Sequence, residues 1–459
     1  MLYLALVSKY LMKRVHFIAI GGSAMHNLAL ALHREGYRIT GSDDEIAEPS
    51  RSRLLKAGIL PEKIGWYPEK ITDDTDQVIV GMHARKDNPE LLRAIEMGIQ
   101  VFSYPEYLYE RAKQKKRIVI AGSHGKTTIT SMILHVLQDV GIDSDYMVGA
   151  QLEGFEIMVR LSDSAKFMIL EGDEYLTSPI DSRPKFIHYK PDIAVISGIG
   201  WDHMNVFPTF EKYLDQFRML IKDMPLDGTL VYFSGDTEVV RLAGESMCQC
   251  LPYNTHPHTI EKETFLLQLA DGTNVPVKIF GSHNMSNISA ALQVCRLMGV
   301  GDEQFYRSVS TFSGASLRLQ LVKSGLNKSV YRDFAHAPSK VKASVKALRE
   351  KYPERSLIAC LELHTYSSLS KNFIDQYHGS LNDSDQALVF YDPHAVALKK
   401  LPPLEFNDIR KAFGFNGLVV CSDPREIDVF INQYFIANST IVFMSSGSFA
   451  GYNLNNLII

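Results

Sequence analysis

One pattern recurs along the chain. A short apolar run ends in a small or polar residue, a turn follows, and apolar positions then return at helical spacing. Residues 15–20 read as a buried strand, Gly21-Gly22-Ser23-Ala24-Met25 as a turn, 27–34 as a helix ended by Gly36, and 38–41 as a second strand closing at Ser42-Asp43. Strand 77–80, the turn Gly81-Met82-His83, helix 88–97 and strand 101–102 continue the alternation to about Arg111, and the polar, basic stretch 113–116 reads as a linker. A second series opens with strand 118–121 and a helix begun by Lys126-Thr127-Thr128 and carried by Met132, Ile133, Val136 and Leu137. Strands 167–170 and 193–198 follow; residues 225–280 read as strands and turns, with runs at 229–233, 265–269 and 275–280, before a helix bearing Ala290, Ala291, Val294 and Leu297. The third series has strand 330–333, helix 339–350 and strands 357–361, 386–390, 417–421 and 440–444. This alternation predicts an α/β fold of three domains, each on a mostly parallel sheet, with boundaries at 1–113, 114–321 and 322–459.

Composition narrows the class. A chain of 459 residues exceeds what one hydrophobic core supports. Hydrophobic content of 46% with 22% charged residues is that of a globular protein, and a net charge of −4 offers no basic field to nucleic acid. Of the five cysteines only Cys248 and Cys250 lie close together, which gives neither a disulfide framework nor zinc-ligand spacing and suits a reducing cytoplasm. Residues 1–11 are mostly apolar but too short to span a bilayer, so no membrane partner is expected; they read as an extension, with Met12 an equally good start.

The chemistry gathers at the strand ends. Gly122-Ser123-His124-Gly125 turns strand 118–121 into the helix begun by Lys126. Such a turn lets the backbone approach phosphates, and the N–H groups and dipole of the helix start favour their charge. Lys126 would reach the outer phosphates of a nucleotide and the Thr127 hydroxyl would sit on Mg²⁺. The spacing is compact: Ile120 stands where the usual phosphate loop has its first glycine. Strand 167–170 ends in Glu171-Gly172-Asp173-Glu174, carboxylates placed to hold that Mg²⁺. His203 follows the next strand and is open to a metal, substrate or structural role. In the segment from Gly281 to Asn287, Asn284 and Asn287 can pair with an adenine edge, while Ser282 or Asn284 serves equally as a helix N-cap. Asp333 and His336, after strand 330–333, suit a ribose or a helix-initiating turn. The first βαβ unit has a glycine turn with an acid, Asp43, about twenty residues on, but Ala19 and Ala24 break the dinucleotide fingerprint.

Taken in order, Gly122 to Thr128, Glu171 to Glu174, Asp202-His203, His283-Asn284 with Asn287, Arg318, and Asp333 with His336 and Pro338 resemble the Mur ligases, which make amide bonds on the peptidoglycan precursor. The likeness runs from Val15 to Gly451. It implies a UDP-sugar domain, a central ATPase and a C-terminal domain that brings the incoming amino acid or peptide. It implies ATP and Mg²⁺, with Lys126, Glu171 and His203 as catalytic residues and Thr127, Glu171 and His203 as metal ligands. Gly122, Ser123, His124, Gly125, Thr128, His283, Asn284, Asn287 and Arg318 would bind ATP, joined by Asp333 and His336 on domain closure. Gly21, Gly22, Ser23, Asp43 and His83 would hold the UDP-sugar, and His364 and Thr365 the acceptor.

Two branches compete. Gly21-Gly22, Met25, Gly41-Ser42-Asp43 and Asn88-Pro89 are similar to the branch acting on UDP-N-acetylmuramate itself. Gly154-Phe155-Glu156, Glu174-Tyr175, the segment from Ile180 to Phe186 and His188-Tyr189 are similar to ligases that join the recycled tripeptide L-Ala-γ-D-Glu-meso-diaminopimelate to the sugar carboxylate. Glu362-Leu363-His364-Thr365-Tyr366 resembles the L-alanine-adding branch, though several members there follow the histidine with arginine. Arg218 stands about where other branches carry a carbamylated lysine, so that device is not expected. The expected reaction passes through an acyl phosphate. The same motifs would also serve a nucleotide-gated binding protein that does not ligate; an NAD enzyme fits them less well.

Overall fold

The computed structural model describes residues 12–149, 155–178, 180–201, 204, 206–454 and 457. Asp202 and His203, residues 1–11 and Gly154 lie outside them. The first sheet holds β1 (Arg14–Ile18), β2 (Arg38–Ser42), β3 (Gln77–Val80) and β4 (Gln100–Ser103) in the order β2-β1-β3-β4, all parallel. Ile18 pairs in register with both Ser42 and Val80. The glycine turn after β1, Asp43 after β2 and His83 after β3 therefore leave the same edge of the sheet.

The central sheet is larger. Its strands are β5 (Lys116–Ala121), β6 (Ser144–Met147), β7 (Val159–Arg160), β8 (Phe167–Glu171), β11 (Ile193–Ile196), β12 (Thr229–Phe233) and β13 (Gln249–Tyr253), in the order β13-β12-β11-β5-β8-β6-β7. All are parallel except the edge strand β7. A hairpin of β9 (Leu176–Ser178) and β10 (Asp181–Pro184) stands off it. So does an antiparallel sheet of β14 (His258–Glu261), β15 (Thr264–Gln268) and β16 (Asn274–Val277). The last sheet, in the order β17-β18-β22-β19-β20-β21, contains β17 (Gln320–Ser324), β18 (Lys328–Asp333), β19 (Ser356–Leu363), β20 (Gln386–Tyr391), β21 (Val419–Cys421) and β22 (Ser439–Met444). Only β17 runs antiparallel there.

β5 shows why these residues make this architecture. Its side chains alternate, so Ile118 and Ile120 point to one face and Val119 and Ala121 to the other. Ile118 and Ile120 join a buried cluster that includes Ile133 and Val136 of the helix Lys126–Asp139 and extends to Tyr331 and Val341. Val119 and Ala121 join a second cluster, with Phe17 and Leu28 of the first unit and Phe186 and Phe217 of the central one. Both faces of the central sheet are thus shared with a neighbouring unit.

Two expectations change. The stretch 113–116 is not a loose linker: Lys116 opens β5, and the Lys115 ammonium is buried on the Asp145 carboxylate and the Ser162 carbonyl. The region 225–280 contains the helix Thr237–Ala243, whose N-cap Asp236 accepts from the Glu238 and Val239 N–H groups. Among the described residues no helix is long and apolar enough to cross a membrane.

Candidate active site

The turn between β5 and the helix Lys126–Asp139 requires its glycines. Gly122 has φ +122° and a Cβ there would lie 2.5 Å from Ser197 Oγ; Gly125 has φ +72° and its Cβ would lie 2.3 Å from Asn287 Oδ1. The turn is pinned to the end of β11. Ser123 N–H donates to the Gly198 carbonyl at 2.9 Å, and the Ser197 hydroxyl contacts the carbonyls of Ala121 and His124. The Ser123 hydroxyl lies 2.8 Å from that of Tyr213 and accepts from Gly200 N–H at 2.9 Å.

A charged network surrounds the first turn of the helix. The Lys126 ammonium donates to Glu174 at 2.8 Å and to the Gly122 carbonyl at 2.7 Å. Tyr213 donates to the other oxygen of Glu174 at 2.7 Å. Burial opposes the charge on Lys126, but Glu174, Asp173 and Glu171 outweigh it and its pKa lies above the ordinary lysine value. Asp173 is partly exposed; desolvation works against its charge, yet Lys185, at 2.6 Å, and Lys126 hold its carboxyl down at about 2. Lys126 is therefore charged and both neighbouring acids are committed to lysines.

The donor set suits Mg²⁺. The Thr127 hydroxyl donates to Glu171 Oε1 at 2.8 Å, and Glu171 Oε2 accepts from Gly149 N–H at 2.9 Å. Two cis oxygen ligands on an octahedral Mg²⁺ stand about 3 Å apart, so this hydroxyl and carboxylate already have the spacing of such a pair. Both residues line the same cavity.

That cavity, about 490 Å³, lies between the central and C-terminal units. Ser123 to Thr128 and Glu171 form one wall; His283, Asn284 and Asn287 form a second; Arg318, Asp333 and His336 form a third. The two asparagine amides are coupled. Asn284 donates to the Phe280 carbonyl at 2.8 Å, and Asn287 donates to Asn284 Oδ1 at 3.1 Å. Burial pushes His283 down to about 4, so it is neutral at neutral pH. Asp333 accepts from the Ser344 hydroxyl, and burial raises its pKa. His336 Nδ1–H donates to the Phe334 carbonyl at 2.8 Å, and the Arg318 guanidinium sits 5.0 Å over the Phe334 ring.

Neither Ser282 nor Asn284 caps the helix Ser282–Leu297; its N-cap is Gly281. A carboxylate from the C-terminal unit takes that role: Glu350 accepts from Ser282 N–H at 3.0 Å and from the Ser282 hydroxyl at 2.8 Å. Lys340, Lys346, Phe233 and Thr255 also line the cavity, and sequence reasoning missed all of these. The helix Pro338–Lys351 was legible, but nothing in its pattern says which face meets another domain.

The remaining residues lie elsewhere. Asp43 accepts from Gly21 N–H at 2.6 Å and from Asp44 N–H at 2.9 Å; it is buried, which raises its pKa. It ties the glycine turn to the end of β2, while Ser23 and His83 on the same edge are exposed. Gly22 is the N-cap of the helix Ser23–Arg34. His364 follows β19, with Nδ1 3.8 Å from Glu362, and the Thr365 hydroxyl donates to Ser368 Oγ at 3.0 Å. Neither borders the cavity, but both leave the same sheet edge as Asp333, because β18, β22 and β19 are parallel neighbours. Arg218 is engaged by Glu211, Asp215 and Glu245, and is not among the cavity's lining residues.

Comparison with known proteins adds an independent line. Residues 14–116 match the family model described as "Mur ligase family, catalytic domain", and residues 120–295 match "Mur ligase middle domain". A UDP-N-acetylmuramate–L-alanine ligase of Aquifex aeolicus is 29% identical over 450 residues, covering 95% of both chains. The UDP-N-acetylmuramate–L-alanyl-γ-D-glutamyl-meso-2,6-diaminoheptandioate ligase of Haemophilus influenzae is 31% identical over 352 residues, 74% of this chain and 77% of that one. The crystal structure of a murein peptide ligase from Psychrobacter arcticus superimposes with a TM-score of 0.66 over 97% of this chain and 100% of its own, at 22% identity, a likeness of fold.

Proposed function

This chain belongs to the Mur ligase family, and we propose that it joins the tripeptide L-Ala-γ-D-Glu-meso-diaminopimelate to UDP-N-acetylmuramate. It is an ATP-dependent ligase of peptidoglycan synthesis that forms an amide bond. The observation carrying the tripeptide assignment is the segment from Glu174 to His188. Its sequence is similar to that of the tripeptide-joining branch, and it forms the β9–β10 hairpin directly after the Glu171–Glu174 turn. Lys185, beyond that hairpin, reaches back to Asp173. We take an element at this place to shape what approaches the sugar carboxylate. The Haemophilus relative supports the reading; the Aquifex relative, matched over 95% of both chains, favours L-alanine as the alternative acceptor.

In the mechanism we propose, the first unit holds the UDP-sugar along the edge bearing Gly21, Gly22, Ser23, Asp43 and His83. ATP enters the cavity with its phosphates over the turn from Gly122 to Thr128. The sugar's lactyl carboxylate attacks the γ-phosphorus, the bond to the β-phosphate oxygen breaks, and ADP and an acyl phosphate result. The acceptor amine then adds to the acyl carbon, loses a proton, and expels inorganic phosphate. Lys126 stabilises charge on the transferred phosphoryl group. Thr127 and Glu171 would hold Mg²⁺, which supplies further charge neutralisation when bound. Asn284, Asn287 and His283 face the base, Asp333, His336 and Arg318 the ribose and phosphates, and His364 and Thr365 the acceptor. His203 is assigned to a second metal on the resemblance alone.

Purified protein, UDP-N-acetylmuramate and Mg·ATP are offered either the tripeptide or L-alanine, with product mass and ADP followed together. A large preference for the tripeptide is expected. Faster ADP formation with L-alanine rejects the recycling assignment while keeping the ligase; turnover with neither acceptor favours the non-ligating binding protein.

A further inference from the structure

Among the described residues, one group of three His, Cys, Asp or Glu side chains brings its ligand atoms close enough together for a single ion, and it lies outside the nucleotide cavity. We propose that Glu106, Asp181 and His188 form a binding site for a divalent cation of the zinc type, which staples the helix Tyr104–Ala112 to the β9–β10 hairpin. The three ligand atoms lie within 4.8 Å of one another. They come from three elements: the helix just before β5, strand β10, and the short helix Lys185–His188.

The buried histidine is the second observation. His188 is only 8% exposed, and its Nε2 is sealed from solvent without a hydrogen bond. Yet Asp181 Oδ2 lies 3.1 Å away, too poorly aligned to accept from the ring. A buried imidazole nitrogen normally has a partner, and leaving it without one is costly. Two atoms close together but not aimed at each other have the arrangement of ligands converging on a third point. With metal–ligand bonds of about 2.1 Å, neighbouring ligands stand roughly 3.0–3.4 Å apart, and 3.1 Å falls in that interval.

The other two ligands are available. Glu106 closes a capping box in which one oxygen, Oε2, accepts from Ser103 N–H at 2.8 Å and Ser103 Oγ at 2.6 Å. Both bonds go to Oε2, which leaves Oε1 for a cation; the three ligand atoms, within 4.8 Å of one another, must draw together by about 1 Å on binding. Asp181 is bidentate with Arg183, but that guanidinium is more than half exposed and a cation at hand displaces it cheaply. One imidazole and two carboxylates favour zinc or a similar borderline ion over Mg²⁺, which prefers oxygen alone. The remaining positions go to water. Held this way, the hairpin following Glu174 is anchored to the last helix of the first unit, independently of the acceptor's identity.

The test uses the full chain, stripped of metal and returned to buffer with excess MgCl₂ so that any hard oxygen site is filled. ZnCl₂ is titrated calorimetrically, and CoCl₂ is added separately to read the visible ligand-field band of a low-coordinate site. One Zn²⁺ should bind with micromolar or tighter affinity, weakened at least about 30-fold in His188→Gln and Asp181→Asn. The Co²⁺ band should vanish in His188→Gln. Glu106→Gln keeps the helix cap, since glutamine also closes a capping box, so it separates lost binding from lost folding. Circular dichroism checks each variant. No zinc uptake by the wild type over Mg²⁺, or equal uptake by the folded variants, overturns the site.

Discussion

The turn at Gly122 to Lys126 leaves little room for substitution. Lys126 is charged despite its burial because three carboxylates surround it, so replacing it removes the cation beside the buried Glu174 carboxylate. Lys126→Ala should cut ADP release by about 100- to 1,000-fold or more with either acceptor, the size of loss seen when one donor to a developing charge is removed. Binding of UDP-N-acetylmuramate, measured calorimetrically, should change little. Gly125→Ala tests the backbone instead: with φ +72° and a Cβ 2.3 Å from Asn287 Oδ1, the variant should lose about 1–3 kcal/mol in chemical denaturation. His283 gives a pH signature. Its folded pKa of about 4 lies below the unfolded value of 6.5, so the unfolded chain binds more protons between those values. The stability it contributes is present above about pH 6.5 and is lost as pH falls toward 4. The acid-side slope of unfolding free energy should be shallower in His283→Gln than in the wild type, and equal slopes would show that the ring is not held neutral.

At the scale of elements, the strands with strong apolar runs were legible because burial on both faces writes itself into continuous Val, Ile and Leu. β3 and β12 match their expected spans, Gln77–Val80 and Thr229–Phe233. Weak strands were not legible. β13 contains Pro252 and β7 is two residues long, so their pairing depends on neighbours that a sequence does not display. The sequence grouped the turn residues that the structure brings to one cavity, because glycine, lysine, threonine and carboxylates in this order suggest a shared chemistry. The helix Pro338–Lys351 was found, but not that Glu350 would cap the helix Ser282–Leu297 across a domain junction, because a contact between residues 68 positions apart leaves no local pattern. That cap is testable. Glu350→Ala leaves Ser282 N–H without its partner and should raise the KM for ATP several-fold, while kcat with saturating nucleotide falls less. Equal loss in kcat and kcat/KM would instead place Glu350 in the chemical step.

For the whole molecule, the decisive feature is that the cavity proposed for the nucleotide has walls from two units and exists only while they are together. Ser282 with Glu350 is one tie; Arg355 with Glu263 at 2.8 Å and Lys351 with the Glu263 carbonyl at 3.0 Å are others, on the side of the antiparallel sheet. Each is partly solvated and individually weak, about 0–1 kcal/mol for an exposed pair, so together they bias closure without locking it. An acyl phosphate in water hydrolyses unless the site stays shut until the amine arrives. Loosening the junction should therefore damage coupling more than it damages the first chemical step. In Glu263→Gln/Arg355→Gln, with both charges removed and the cavity lining untouched, ADP should still form, but amide product per ADP should fall below one, most visibly when acceptor is scarce. High ionic strength should produce the same uncoupling in the wild type, because screening weakens exposed pairs. Measuring ADP and amide product in the same reaction decides the point. A one-to-one ratio in the double variant, at low acceptor and at high salt, would mean that the junction holds by its shared apolar core alone and that these pairs do not guard the intermediate.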